Sequence, residues 1–215
     1  MKSLFVYFLA TLLVFSSCNT SKKTQGAIIG GAVGATAGAL LTKKNRAVGI
    51  ILGAAVGGLS GGIIGSYMDK AARDISDDLG NDATVVRVGE GIVVSFDSGL
   101  LFDFDSYALK STTKDNLSKL AASLTEYKDT HVNILGHTDS DGDSAYNQKL
   151  SVNRSNAVLS FLNENNVSSA RLKSMGFGES DPVATNKTDD GKELNRRVEI
   201  VLVANDQLKK DSTTK

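Results

Sequence analysis

The sequence predicts an α/β domain, a mixed sheet with helices packed on one face, preceded by a glycine-rich helical hairpin. Two patterns indicate this organisation. After residue 83, segments rich in β-branched residues alternate with segments whose apolar residues recur at helical spacing. Before residue 69, glycine recurs at every fourth position, which places small residues along one face of a helix.

The C-terminal part contains the pattern of an alternating α/β fold. Strands are predicted at 84–88, 91–96, 131–135 and 197–203, and helices at 112–127 and 145–163. In the first helix, Leu117, Leu120 and Leu124 recur on one face, which is expected to cover the sheet. We therefore expect a domain at residues 91–204, after a linker at 69–90 and before a disordered tail at 205–215.

The first 17 residues have the pattern of an export signal. Lys2 is followed by an apolar run at residues 4–15, which is too short to span a bilayer, and then by two serines. Cys18 is the one cysteine of the chain, so no disulfide within the chain is possible. One interpretation is an ordinary secretion signal in which Cys18 is an incidental buried residue. The other gives the cysteine a role as a lipid anchor.

Residues 15–18, Phe-Ser-Ser-Cys, resemble the bacterial lipobox, although Leu is usual where Phe15 stands. The resemblance implies that Cys18 is acylated and begins the mature protein, with residues 18–25 as the acylated N-terminus. Two or three acyl chains would anchor the protein stably in a membrane. Asn19 follows the cysteine where an inner-membrane lipoprotein would have Asp, which implies the outer membrane, and we expect the periplasmic face.

Residues 26–68 are predicted to form a glycine-zipper helical hairpin. The repeating glycines are Gly26, Gly30, Gly34 and Gly38 on one arm and Gly49, Gly53, Gly57, Gly61 and Gly65 on the other. Each glycine costs a helix about 1 kcal/mol relative to alanine, so these helices need tight packing or a lipid environment. A flexible spacer is the alternative, but the intervening Ile, Leu and Val favour the hairpin. Membrane insertion and assembly into a homo-oligomer both stay open.

The charge distribution argues against nucleic acid as a partner. All 24 acidic residues follow residue 68, whereas six of the 24 basic residues precede it. The C-terminal part is therefore net acidic, and an acidic surface repels phosphates.

Motifs spread over the C-terminal part resemble the OmpA-like peptidoglycan-binding domain in order and spacing. They are Gly136-His137-Thr138-Asp139, Gly142, Tyr146-Asn147, Leu150-Ser151, Arg154, Gly176-Phe177-Gly178-Glu179, Pro182 and Asn195-Arg196-Arg197-Val198-Glu199-Ile200. The resemblance covers about residues 93–203. Ser66-Tyr67-Met68-Asp69 likewise resembles the end of glycine zippers in envelope lipoproteins.

The OmpA-like resemblance implies that the domain binds the diaminopimelate end of a peptidoglycan stem peptide. That end carries an ammonium and a carboxylate, and the family's two ligand-binding positions fall on Asp139 and Arg154. Arg154 can hold the carboxylate with two parallel hydrogen bonds. Asn147 flanks the arginine two helical turns earlier. Secondary contacts are expected from Thr138, Arg197 and Asp105.

The alternative for Asp139 and Arg154 is a structural salt bridge that binds nothing. An exposed pair of this kind contributes only about 0 to 1 kcal/mol, so stability gives little reason for it. Of the neighbouring Arg196 and Arg197, one is expected to be structural. His137 is expected to line or support the site.

Other chemistries fit the sequence poorly. Asp139, Asp141 and Asp143 imitate a calcium loop, but Ser144 and Leu150 stand where an EF-hand needs Gly and Glu. No Gly-x-Ser-x-Gly motif accompanies His137, so a hydrolase triad is not indicated. With two histidines and one cysteine, no metal site is expected. We predict no enzymatic activity and no cofactor.

Two hypotheses from different classes follow. In the first, acyl chains on Cys18 hold the outer membrane and the C-terminal domain holds the peptidoglycan, so the protein is a tether. In the second, the glycine zipper is the working part, as a self-associating membrane element or as a subunit of an envelope complex. The peptidoglycan contact then only positions it.

Overall fold

The computed structural model describes residues 45–54 and 61–214. In this part of the chain the elements are, in order, α1 (Arg46–Ala54), α2 (Gly61–Leu79), β1 (Thr84–Val88), β2 (Gly91–Asp97), α3 (Ser98–Leu101), α4 (Ser111–Glu126), β3 (Thr130–Gly136), α5 (Ser144–Glu164), a 3-10 turn (Ser169–Arg171), β4 (Leu172–Gly176), α6 (Asp189–Asn195), β5 (Arg197–Ala204) and α7 (Asp206–Thr213). The predicted signal, the acylated N-terminus with Cys18 and the first arm of the hairpin lie outside the described residues.

The five strands form one mixed sheet in the order β1-β2-β5-β3-β4. β3 and β4 run parallel, and the other neighbouring pairs run antiparallel. All four predicted strands and both helices predicted for the C-terminal part are confirmed, with ends that differ from the predicted limits by one residue at most. The α/β class and the mixed sheet are therefore confirmed. β4 and α6 were not predicted, because neither segment has a clear apolar period.

One face of the sheet is covered by α2, α4, α5 and α7, which share its main hydrophobic core. Successive residues of a strand point to opposite faces, so Val198, Ile200 and Leu202 of β5 face these helices. The predicted apolar stripe of α4 is buried here, with Leu117 and Leu120 fully inaccessible to solvent. This face matches the predicted arrangement of helices on a sheet.

The opposite face of the sheet is covered by α1. The sequence predicted a helix here, in the second arm of the hairpin, but not that this helix packs on the sheet. Ala47, Val48 and Ile51 of α1 pack against a second cluster that includes Val201 and Val203 of β5. The glycine spacing predicted helix pairing or contact with lipid. It describes only the small-residue side of the helix and not the apolar side, which packs on the sheet. The apolar side of α1 is buried within its own chain.

The linker predicted at residues 69–90 is part of the fold. α2 continues to Leu79 and buries Met68, Ala72 and Ile75 in the main core, and β1 follows as an edge strand. The linker prediction was wrong because the exposed side of α2 carries many acidic and basic residues. Their charge hides an apolar stripe that recurs at helical spacing.

The prediction of a disordered tail at residues 205–215 is also wrong over most of its length, because residues 206–213 form α7. Asn205 caps α7, since its side-chain oxygen accepts a hydrogen bond from the backbone N–H of Leu208 at 2.9 Å. Leu208 is buried in the main core. A single buried leucine among polar residues gives too weak a period to be recognised in the sequence.

None of the described helices combines the length and apolar character needed to cross a membrane. α1 and α2 both belong to the glycine-rich segment and its extension, and both pack on the sheet.

We expect Ile75→Ala in α2 to destabilise the domain by about 2–4 kcal/mol, because it removes a fully buried side chain and leaves a cavity. Asp77→Ala, on the exposed side of the same helix, should change the free energy of unfolding by less than about 0.5 kcal/mol. Chemical denaturation measures both. Equal stability of the Ile75 variant and the wild type would contradict the packing of α2 in the core and would support the linker prediction.

Candidate functional site

A cavity of about 510 Å³ opens at the end of the sheet where β3 and the N-terminal half of α5 meet. Five of the six predicted binding residues line it: Thr138, Asp139, Asn147, Arg154 and Asp105. They come from three separate segments of the sequence. The fold therefore brings the predicted anion, the predicted cation and their predicted neighbours to one place.

Close packing of α5 on the sheet positions the two charged groups. A Cβ atom at Gly136 would collide with the backbone carbonyl of Ser151, so only glycine lets α5 lie this near to the end of β3. Asp139 follows Gly136 by three residues, and Arg154 lies one turn beyond Ser151. The close approach thus sets the distance between the loop that carries Asp139 and the helix that carries Arg154.

Asp139 is held in a nearly buried position, with a side chain that is 10% exposed. Its Oδ1 accepts a hydrogen bond from the backbone N–H of Asp141 at 3.1 Å, which fixes the loop. Its Oδ2 forms an ion pair with Nη1 of Arg196 at 2.6 Å. The carboxylate therefore already holds one cation. The side chain of Arg196 is 41% exposed, so it can move and leave room for a second cation at the carboxylate.

Arg154 is also nearly buried, at 5% exposure. Its Nε donates to the backbone oxygen of Ser106 at 2.9 Å, and its guanidinium carbon lies 5.2 Å from the centre of the Phe102 ring. Burial lowers the pKa of the guanidinium, which still stays protonated because an arginine pKa starts so high. Among the described residues, neither terminal nitrogen of Arg154 has a hydrogen-bond partner, so both are available to a ligand.

The structural salt bridge that was the alternative for Asp139 and Arg154 is absent from the described part of the chain. Asp139 pairs with Arg196 instead, and Arg154 is held by a backbone oxygen and an aromatic ring. The two groups line the same cavity without neutralising each other.

Asn147 and Thr138 support the walls of the cavity. The Asn147 amide donates to the backbone oxygen of Asp141 at 3.0 Å and to Oε2 of Glu179 at 2.9 Å, so it joins two loops to α5. The Thr138 hydroxyl donates to the backbone oxygen of Asp139 at 2.9 Å. Both side chains hold the loop of Asp139 in place, and both border the cavity.

Asp105 lies on the far wall, in the loop between α3 and α4. Its φ of 56° is in the left-handed region, which is uncommon for a residue with a side chain. Its carboxylate accepts a hydrogen bond from the hydroxyl of Tyr146, and this bond raises the pKa of the tyrosine. The bond joins the loop to the start of α5 across the mouth of the cavity.

Arg197 was predicted to contact the ligand, and the structure places it elsewhere. Its side chain is buried on the face covered by α1, where Nε donates to Oε1 of Glu199 at 2.7 Å. Nη2 of Arg197 donates to the backbone oxygen of Asp181 at 3.2 Å. Neighbouring residues at the start of a strand point in different directions, so Arg196 reaches the cavity and Arg197 does not. Arg197 is therefore the structural member of the pair.

Arg196 borders the cavity and contacts Asp139, but sequence reasoning did not assign it to the site. The motif Asn195-Arg196-Arg197 offered two adjacent arginines, and the choice between them depends on the register of β5. That register pairs Val198 with Gly136, and the backbone N–H of His137 then donates to the oxygen of Arg197 at 3.0 Å. No local pattern in the sequence fixes this pairing.

The three aspartates that imitate a calcium loop each have a different use. Asp143 caps α5, accepting a hydrogen bond from the backbone N–H of Tyr146 at 3.0 Å. Asp141 forms an ion pair with Lys192 at 2.9 Å, and Asp139 pairs with Arg196. In residues 45–54 and 61–214, no three His, Cys, Asp or Glu side chains are grouped as metal ligands would be.

His137 lies behind the cavity rather than in it. It is fully buried and stacks on Phe177, with ring centres 5.6 Å apart. Its Nε2 is 3.9 Å from Oε2 of Glu199, and in the described residues neither ring nitrogen has a hydrogen-bond partner. Burial, together with the positive charge of Arg197, holds the pKa of His137 well below its ordinary value.

Comparison with known proteins places this geometry in a family. Residues 101–196 match the OmpA family, and residues 1–69 match the YMGG-like Gly-zipper. The chain is 37% identical to the protein named Probable lipoprotein YiaD of Escherichia coli strain K12, over 92% of this chain and 97% of that protein. The chain belongs to the OmpA family. Its glycine-rich segment is a Gly-zipper of the YMGG-like type.

Other similar proteins include a second lipoprotein and two solved structures with the same fold. The Outer-membrane lipoprotein YfiB of Pseudomonas aeruginosa is 37% identical over 54% of this chain and 68% of its own length. A MotB like protein from Desulfovibrio vulgaris shares the fold, with a TM-score of 0.62, 24% identity and coverage of 68% of this chain and 99% of that one. The cell wall anchor of the T6SS from Pseudomonas aeruginosa has a TM-score of 0.54 and 27% identity, over 66% of this chain and 96% of its own.

The family and the fold are those of OmpA-like peptidoglycan-binding domains, which are not an enzyme class. The lipoproteins and outer-membrane proteins among the relatives place the chain in the bacterial envelope.

We expect the free energy of unfolding to decrease as the pH falls from 7 to 5. An unfolded chain protonates His137 below its ordinary pKa of about 6.5, whereas the folded chain keeps it neutral, so acid favours the unfolded state. This one group contributes at most about 1.4 kcal/mol per pH unit. Chemical denaturation at pH 7, 6 and 5 measures the slope.

His137→Gln should lose this part of the pH dependence, because the amide does not titrate. His131→Gln, which changes an exposed histidine, should keep it. Identical slopes for the His137 variant and the wild type would show that the buried ring is not the acid-sensitive group.

Proposed function

We propose that this protein is an outer-membrane lipoprotein that binds the diaminopimelate end of a peptidoglycan stem peptide, and so tethers the outer membrane to the cell wall. The observation that carries the proposal is the cavity itself. It contains a nearly buried carboxylate and a nearly buried guanidinium that do not pair with each other. A ligand with one ammonium and one carboxylate complements both.

The carboxylate of the ligand is assigned to Arg154. Its two terminal nitrogens have no partner in the described residues, and a planar guanidinium can donate two parallel hydrogen bonds to a carboxylate. Its Nε is already held by Ser106, and its face lies on Phe102, so little side-chain freedom is lost on binding. The low exposure of the site strengthens the charge–charge attraction relative to a surface pair.

The ammonium of the ligand is assigned to Asp139. Arg196 already contacts this carboxylate, so the ammonium must share it or displace the arginine. Displacement is feasible because the Arg196 side chain is 41% exposed and can be solvated when it leaves. Arg196 thus compensates the charge of Asp139 when no ligand is bound.

The comparisons support the proposal. One neighbour with the same fold is itself described as a cell wall anchor, and the relative that matches nearly the whole chain is named as a lipoprotein. A wall-binding domain and a lipid-anchored N-terminus in one chain make a tether.

The tether must gain its reach before residue 45. Residues 69–90, which were expected to act as a linker, are packed in the domain. From Cys18 to Asn45 the covalent chain can span at most roughly 90 Å when fully extended. This limit defines how far the cavity can lie from the lipid surface while α1 stays packed.

Asp139→Asn and Arg154→Lys are each expected to weaken binding of a diaminopimelate stem peptide about 10-fold or more. A hydrogen bond between charged groups contributes about 1.5–3 kcal/mol, and 1.4 kcal/mol corresponds to a factor of ten. Lysine keeps the charge of Arg154 but cannot form the two parallel bonds. The mature protein in detergent is titrated with the peptide by calorimetry and sedimented with purified sacculi.

Asp77→Asn and Arg73→Lys serve as matched controls, because they make the same changes on the exposed side of α2. A stem peptide with lysine in place of diaminopimelate lacks the second carboxylate. Arg154→Lys should therefore hardly change its affinity. Wild-type binding of the diaminopimelate peptide by both site variants would falsify the site assignment.

Mass spectrometry of the mature protein should find Cys18 as the first residue, carrying acyl chains. Cys18→Ala should leave the signal segment uncleaved and the protein without acyl chains, since no other residue of the chain has a thiol. Ser16→Ala, a change between small residues two positions earlier, should be processed normally. An unmodified Cys18 in the wild type would contradict the lipid anchor.

A further inference from the structure

A buried chain of hydrogen bonds joins the glycine-rich segment to the sheet next to the cavity. Asn45, immediately before α1, donates from Nδ2 to Oε1 of Glu199 at 3.1 Å. The same oxygen accepts from Nε of Arg197 at 2.7 Å. All three residues are less than 10% exposed. The N-terminal end of α1 is thus part of the polar network that holds the start of β5.

The start of β5 in turn holds the acidic corner of the cavity. The backbone oxygen of Arg197 accepts from the N–H of His137, two residues before Asp139. Arg196, the preceding residue, pairs with the Asp139 carboxylate. A shift of Arg197 therefore displaces both the loop that carries Asp139 and the cation that contacts it.

α1 is held on the sheet by its apolar side and by polar contacts at its N-terminal end. Ile51 fills the space that Gly91 leaves by having no side chain, and the backbone N–H of Arg46 donates to Oδ2 of Asp181 at 3.0 Å. A nine-residue helix is marginal by itself, and Gly49 and Gly53 cost it about 2 kcal/mol more. α1 therefore depends on this docking for its helical structure.

Undocking of α1 would change the environment of the network beneath it. Glu199 would lose Asn45, and water would reach Oε2 of Glu199 and the ring nitrogens of His137, which have no hydrogen-bond partner in the described residues. Solvated Glu199 holds Arg197 less firmly, because water competes for its hydrogen bonds and screens its charge. The loop of Asp139 would lose part of its fixed geometry.

We propose that docking of α1 on the sheet and binding of a zwitterionic ligand between Asp139 and Arg154 are positively coupled. The inference rests on the proposed function, because it concerns affinity at that site. The docked helix fixes the loop that carries Asp139, because Asn45 and Glu199 hold Arg197, whose backbone oxygen accepts from the N–H of His137. Because such coupling is reciprocal, the bound ligand stabilises the docked helix to the same extent. The glycine-rich segment then senses whether the domain holds peptidoglycan.

Ile51→Asp tests the coupling, because it places a charge in the buried seat of α1. We expect it to weaken binding of the diaminopimelate stem peptide at least fivefold, the lower end of typical coupling between sites. Leu52→Asp makes the same kind of change one residue later, where the side chain is 61% exposed. It should bind within a factor of two of the wild type. Titration calorimetry on the mature protein in detergent measures both.

Asn45→Ser is the second variant, in case Ile51→Asp fails to fold. Serine still caps a helix, and the apolar seat of Ile51 is untouched, but the donor to Glu199 is removed. We expect a loss of affinity of at least threefold with an unchanged far-UV circular dichroism spectrum. Wild-type affinity in Asn45→Ser and in folded Ile51→Asp would overturn the coupling.

The reciprocal effect gives a readout that a merely structural role would not change. Saturating stem peptide should slow amide hydrogen exchange of α1 in the wild type, and should not do so in Arg154→Lys at a concentration that leaves this variant unbound. Unchanged exchange in peptide-bound wild type would also overturn the coupling. If the wild type does not bind the peptide, it is instead the proposed function that fails.

Discussion

The antiparallel pairing of β5 between β2 and β3 is the constraint on which the rest of the structure depends. Its register places Val198 opposite Gly136, so the start of β5 lies beside the loop that carries Asp139. Alternation along the strand then sends Val198, Ile200 and Leu202 to the helices on one face. Arg197 and Glu199 point to the other face, under α1. One strand therefore serves the main core, the cavity and the polar network.

The polar network beneath α1 is costly for a domain of this size. Glu199 and Arg197 are almost entirely buried, and the ring of His137 lies beside them with no hydrogen bond from the described residues. Buried ion pairs contribute little net stability compared with apolar groups of the same size. Their value here is geometric. They fix the direction of Arg197, and hence the position of the neighbouring Arg196 at the cavity.

Local patterns were enough for much of the fold and for the chemical character of the site. β-branched runs and apolar periodicity gave four strands and two helices, because strands buried on both faces are rich in β-branched residues and α4 buries one apolar side. They failed for α2 beyond Met68 and for α7. In α2 the apolar stripe is crossed by charged residues, and in α7 it is reduced mainly to Leu208. In both helices, burial depends on the apolar surface of the sheet and its neighbouring helices rather than on a strong apolar period in the helix itself.

The sequence by itself determined the family, the residue types that can hold an ammonium and a carboxylate, and the two segments that carry them. Only the tertiary structure decided that Arg196 rather than Arg197 borders the cavity, that Asp139 and Arg154 do not pair, and that α1 covers the second face. The physical reason is that residue type and spacing define what a side chain can bind and which side of its own element it occupies. Strand register and helix docking define what it meets, and these depend on contacts between residues far apart in the chain.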